Sequence, residues 1–194
     1  MLNGKKVLLI SPDFYNYSHL IKSELEAQGA RVVYFRERPH GVFYRVVKAI
    51  KTIKSKIDQD YLYRIIKNID EDFDFVFLIR GQIIDVNFLK SLRTHVKSGA
   101  VFVMHQWDSC QMNDYSDLIP FFDYVSTFDM EDAKLLSIKY VPLFHADEYS
   151  MEIDRKNEDI DLLYIAYGHS DRVKFLKELI SSAEKERLIV KHHV

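Results

Sequence analysis

Residues 105–108 read His-Gln-Trp-Asp and follow directly on the apolar run 100–104. An imidazole and a carboxylate at the end of a strand are groups able to take a proton from a hydroxyl, and Trp107 offers a flat apolar face of the kind that carries a sugar or a base. His105 and Asp108 are therefore the acid/base candidates by position, although each can equally be a loop residue satisfied by backbone hydrogen bonds, with Trp107 as simple packing. A second constellation is Gly168-His169-Ser170-Asp171-Arg172. It lies between the apolar run 161–166 and a helical pattern, where a turn glycine and free helix N–H groups can face a phosphate. Ser170 or Asp171 can instead only cap that helix. Arg172 in a first helical turn opposes the helix dipole, and a partner anion accounts for it. Asp129 ends the run 126–128 and reads as a helix cap before it reads as a catalyst. His145 closes the first unit beside a charged stretch, either reaching an interdomain cleft or lying on the surface.

Several chemistries are disfavoured at the same positions. The turn after the first apolar run is Ser11-Pro12-Asp13-Phe14-Tyr15-Asn16-Tyr17, without the glycines that let a backbone approach a dinucleotide pyrophosphate. No GxxxxGK[ST] is present, and Leu78-Ile79-Arg80-Gly81 stands where a phospho-acceptor domain would place an aspartate. The eight histidines are scattered and no HExxH occurs, so no metal is expected. The single cysteine, Cys110, excludes an intramolecular disulfide and a cysteine-based zinc site, which points to the cytoplasm.

The 194 residues suffice for one domain and part of a second. Lys and Arg number 27 against 29 Asp and Glu, so no charge excess calls for a nucleic-acid partner. With 47% hydrophobic and 13% aromatic residues the chain can bury a real core, and no stretch is apolar for long enough to be a signal peptide or a membrane span. One local imbalance stands out. The stretch 41–57 contains Arg45, Lys48, Lys51, Lys54 and Lys56 and no acidic residue. Its basic face is either simply solvated or a patch drawn to anionic lipid or a diphosphate-bearing acceptor.

Short β-branched or aromatic runs alternate with segments of helical period, the pattern of an α/β fold with a parallel sheet and flanking helices. Strands are predicted at 6–11, 31–35, 73–79, 100–104, 124–128 and 139–144. The run 73–79 reads as buried on both faces. Helices are predicted from 18 to Gly29, over 40–57 with Val42, Val46, Val47, Ile50, Ile53 and Ile57 as its apolar face, from an Asp58 cap to 68, from an Asp85 cap to 96, over 115–122 and over 130–137. Residues 147–158 are charged and aperiodic, a linker. A strand at 161–166, a helix at 171–186 and a strand at 187–191 then begin a second domain, which is expected to be incomplete.

Taken together and in order, KVLLISPDF, FLIRGQ, HQWDS, FFDYVSTFDMEDA, KYVPLFH and DIDLLYIAYGHSDR resemble CgeB-like and lipopolysaccharide or capsular polysaccharide biosynthesis proteins, which look like GT-B glycosyltransferases. The resemblance implies two Rossmann-like domains facing a cleft: an acceptor-side domain over 1–146 and the start of a donor domain over 159–194. It implies that Gly168, His169 and Arg172, with Ser170 beside them, lie near the diphosphate of a nucleotide-sugar substrate, and that Trp107 and Asp108 lie on the cleft; Asp129 and His145 are by position the further acceptor-side candidates. Asp13, His105 or Asp108 would supply a base for an inverting transfer. No cofactor beyond the donor is implied. The acceptor would be a glycan, lipid-linked if Arg45, Lys48, Lys51 and Lys54 meet a membrane. The rival expectation is a noncatalytic glycan- or protein-binding module that associates, even with its own copies, through an unfinished second sheet.

Overall fold

The computed structural model describes residues 2–47, 49–69, 73–146, 150, 159–165 and 171–193. The chain divides into two compact units, Met1–Ala146 and Asp147–Val194. The first is built on strands β1 (Lys6–Ser11), β2 (Arg31–Arg36), β3 (Phe75–Ile79), β4 (Val101–Gln106), β5 (Tyr124–Thr127) and β6 (Lys139–Tyr140). All pair in parallel, in the order β2-β1-β3-β4-β5-β6. The helices are α1 (Tyr17–Ala27), α2 (Val42–Val47), α3 (Lys51–Asn68), α4 (Val86–His95) and α5 (Met130–Leu135), with a 3₁₀ turn at Ser116–Phe121. The unit is thus α/β and Rossmann-like, with the chain running outward from β1 to β2 and then back across to β3.

Parallel strands cannot be joined by tight turns, so each crossover carries a helix, and the helices supply half of the core. Leu8, Ile10, Val76, Leu78, Phe102 and Met104 project from the sheet onto Leu62, Ile65 and Ile66 of α3 and Phe88, Leu89 and Leu92 of α4. Each of these buried side chains contributes roughly 1.5–3 kcal/mol. Asp85 caps α4 as its position predicts, its Oδ1 accepting the Phe88 N–H at 2.8 Å.

Four expectations are corrected. The segment 40–57 is not one helix: α2 ends at Val47, α3 starts at Lys51, and the expected core face is largely in solvent, with Val42 and Val46 each 69% exposed, Ile50 51% and Ile53 41%. Asp58 is no cap but an interior residue of α3, accepting from Tyr44 Oη and Lys54 Nζ, both at 2.6 Å. On β3, Phe75 and Phe77 are only half-buried, because burial alternates along the strand. The second unit pairs β7 (Leu162–Ile165) in parallel with β8 (Val190–His193) around α6 (Arg172–Lys185). The last strand starts later than predicted because the turn after α6 uses Arg187 in a left-handed conformation (φ 58°), with the Leu188 N–H returning to the Ala183 carbonyl at 3.0 Å. Among the described residues no helix is long and apolar enough to cross a membrane.

Candidate functional site at the sheet switch point

The connection β1 to β2 leaves the centre of the sheet in one direction, and the connection that reaches β3 returns in the other. Open α/β sheets hold ligands in the crevice this reversal leaves at the carboxyl ends of the strands. Four strand ends meet there: residues 11–13, 36–38, 80–82 and 106–108.

The centre of the cluster is a pair that sequence reasoning missed. Glu37, just past β2, is fully buried, and its N–H donates to the Ser11 carbonyl at 2.9 Å. Its carboxylate is ion-paired with the Arg80 guanidinium and accepts the N–H groups of Gly81 (3.0 Å) and Gln82 (3.2 Å). Arg80 and Gly81 are both left-handed (φ 65° and 73°), and this kink at the end of β3 turns two successive N–H groups toward Glu37. At Gly81 a Cβ would come within 2.8 Å of Leu78, so only glycine fits. The Arg80 carbonyl accepts from Gln106 Nε2 at 2.9 Å, and its Nη1 lies 3.8 Å from Asp108 Oδ2. Arg80 Nε, Gln106 Oε1 and Trp107 Nε1 are buried with no hydrogen-bond partner among the described residues. Three such orphans at the neighbouring ends of β3 and β4 are unusual in a folded protein, and a bound molecule with hydroxyl groups would satisfy them.

An aromatic surface adjoins these polar atoms. Tyr15 and Asn16 are left-handed (φ 49° and 84°), folding the loop after β1 so that Phe14, Tyr15 and Tyr17 gather with centroids 4.4–6.3 Å apart. Tyr17 meets Trp107 edge-on at 6.1 Å and Phe144 at 5.5 Å, and Phe14, Tyr15 and Phe144 remain 53%, 76% and 44% exposed. Arg80 faces two carboxylates and Asp13 is ion-paired with Arg36 at 2.8 Å, while Arg38, past the end of β2, is exposed and donates to the neutral Gln82 Oε1 at 2.8 Å. The orphaned polar atoms and the aromatic surface together suit a hydroxyl-bearing ring.

The other expected residues fall as follows. Trp107 and Asp108 share the crevice. His105, one residue earlier on β4, belongs to the opposite face of the sheet from Gln106 and places its Nδ1 2.9 Å from Ser126 Oγ. Burial holds its pKa below the usual histidine value, with the Ser126 contact opposing in part. An unfolded chain protonates this imidazole below about pH 6.5, whereas the fold resists it, so stability is complete above that pH and falls as the pH drops below it. A His105→Gln variant is expected to flatten that part of the pH–stability curve, as read by urea unfolding between pH 5 and pH 8. Asp129 is an N-cap, its Oδ1 accepting from Glu131 (2.8 Å) and Asp132 (3.1 Å) N–H groups. His145 is exposed. Gly168, His169 and Ser170 lie outside the described residues. Arg172 is the exposed first residue of α6, and Asp171 before it makes no side-chain cap.

A cavity of about 280 Å³ opens between α3 and the segment after β3, lined by Lys54, Asp58, Gln82 and Asp85 among others. Its acids are already engaged, Asp58 by Tyr44 and Lys54 and Asp85 by the α4 backbone, so it is a weaker ligand site than the crevice. No group of three or more His, Cys, Asp or Glu among the described residues could hold a metal ion.

Glu37 and Arg80 carry no local sequence signal that pairs them. Glu37 stands between Arg36 and Arg38, where a carboxylate reads as ordinary surface charge, and Arg80-Gly81 bears in the sequence only on the phospho-acceptor alternative. No family model matches the chain, and no curated protein matches it, so the functional reading rests on residues and geometry.

Proposed function

We propose that this chain is a glycosyltransferase-like protein of bacterial cell-surface polysaccharide or glycan assembly, in which the first unit receives the acceptor and the second takes the nucleotide-sugar donor. The observation that carries the acceptor half is the juxtaposition of an exposed aromatic surface with the buried, unsatisfied Arg80 Nε, Gln106 Oε1 and Trp107 Nε1. Aromatic faces stack on the apolar faces of sugar rings, while orphaned donors and acceptors bind hydroxyls. Asp108 is the group that takes the proton of the attacking hydroxyl. The acceptor oxygen then forms a bond to the anomeric carbon as the bond from that carbon to the diphosphate oxygen breaks, and the nucleoside diphosphate leaves with the electron pair. Arg80 holds the Asp108 carboxylate toward the crevice and is itself held by Glu37. In the second unit, the N–H groups at the start of α6 and Arg172 would stabilise the leaving diphosphate. A lipid-linked acceptor would bring the protein to the inner face of the cytoplasmic membrane.

A thermal-shift screen against UDP, GDP, CMP and their sugars tests the donor half. One nucleotide class is expected to raise the melting temperature, and Arg172→Ala is expected to abolish that rise; an unchanged rise in the variant removes Arg172 from the site. A second reading is favoured by one observation. Leu163 and Ile165 of β7 are 59% and 70% exposed, as suits a noncatalytic module whose small sheet pairs with another chain. That reading predicts glycan binding with no nucleotide response.

A further inference from the structure

The segment between β2 and α3 has a composition and an exposure that the switch-point crevice does not explain. Val42, Phe43 and Val46 of α2 are 69%, 70% and 69% exposed, and Ile50 and Ile53 after them are 51% and 41% exposed. Spacings of three and four set Val42, Phe43 and Val46 on one side of α2. Tyr44 turns inward: it is 8% exposed, with its hydroxyl bonded to Asp58 Oδ1 at 2.6 Å. Asp58 in turn accepts Lys54 Nζ at 2.6 Å, so this short helix is tied to α3 by one tyrosine and one carboxylate while its apolar side faces out.

Water is a poor solvent for five large apolar side chains within twelve residues, and solitary exposed apolar residues are the ordinary case rather than a run of them. The charge around them selects the partner. The stretch 41–57 carries five basic residues and no acidic one in a chain whose net charge is −2. Lys51 and Lys56 are exposed, and Lys54 is the one engaged by Asp58. Apolar residues flanked by unopposed lysines match a surface that is negative outside and hydrocarbon inside.

We infer that residues 42–56 form a membrane-docking element that inserts Phe43, Val42 and Val46 into the interfacial region of an anionic bilayer, with Lys51 and Lys56 held at the headgroups. This placement is independent of the transferase reading, since it uses none of the crevice residues.

Vesicle flotation with the full chain tests it, comparing phosphatidylcholine alone with phosphatidylcholine containing about one-third phosphatidylglycerol. The chain is expected to float with the anionic vesicles only and to be released by high salt. Because these side chains are exposed, Phe43→Ser with Val46→Ser should leave the circular dichroism spectrum and melting unchanged while weakening vesicle binding at least tenfold. Lys51→Gln with Lys56→Gln should weaken it about tenfold or more, at roughly fivefold per charge. Failure of the parent chain to bind anionic vesicles overturns the inference, as does equal binding by folded Phe43→Ser/Val46→Ser. Concentration-dependent dimerisation that the same double variant abolishes, without vesicle binding, would assign the face to a second copy instead and also overturn it.

Discussion

Glu37→Ala is expected to destabilise the first unit by about 3–5 kcal/mol, the cost of leaving one partner of a buried ion pair uncompensated. Glu37 is fully buried and Arg80 is half-buried beside it, and the same carboxylate also accepts two backbone N–H groups at the kink after β3. The loss should appear as a fall in melting temperature of roughly 10 °C. A second variant separates charge from packing. Glu37→Gln with Arg80→Leu keeps an acceptor for the Gly81 and Gln82 N–H groups and removes both charges, so it should recover most of the stability while losing ligand binding. If Glu37→Ala melts within about 2 °C of the parent, the pair is not the support of the crevice.

Asp108→Asn carries the largest functional expectation. On the proposed reading, in which Asp108 takes the proton of the attacking hydroxyl, this change should lower the transfer rate by about 10²–10⁴-fold while acceptor binding changes little, because an amide keeps the shape and the hydrogen-bonding reach but not the basicity. Folding should be nearly untouched. The Arg80–Asp108 contact is long, at 3.8 Å, and the aspartate is 29% exposed, so the pair is worth at most about 1 kcal/mol. Rate constants and acceptor KM for the two proteins, measured at saturating donor, read the two effects apart. A rate within tenfold of the parent would move the base elsewhere, with Asp13 the next carboxylate in the crevice.

The fold was largely legible because parallel strands announce themselves by composition: β1, β3 and β4 are runs of Val, Leu, Ile, Phe and Met that no amphipathic helix would tolerate. The site was legible only where its residues were consecutive. Trp107 and Asp108 follow β4 in the chain and could be found by reading forward, whereas Glu37 and Arg80 are 43 residues apart and become a pair only because β2 and β3 both flank β1. Nothing local to Glu37 indicates that it is buried. The α2 segment misled for a different reason. Periodicity shows that Val42 and Val46 share a side but not whether anything covers that side, and here their exposure is the informative fact. Asp58 reads as a cap in the sequence, but it lies inside α3, where Lys54 of the same helix and Tyr44 of α2 claim its carboxylate.

Trp107 is the only tryptophan in the chain, so its fluorescence reports on the crevice without a label. The most direct test of the acceptor site is therefore a titration of the intact protein with neutral oligosaccharides, followed by tryptophan emission, with Tyr17→Ala and Asp108→Ala as controls. A saturable change with at least one neutral glycan, weakened tenfold or more in both variants, is the predicted result. No change with any glycan, or the same change in both variants, would contradict the assignment of the crevice to a carbohydrate acceptor.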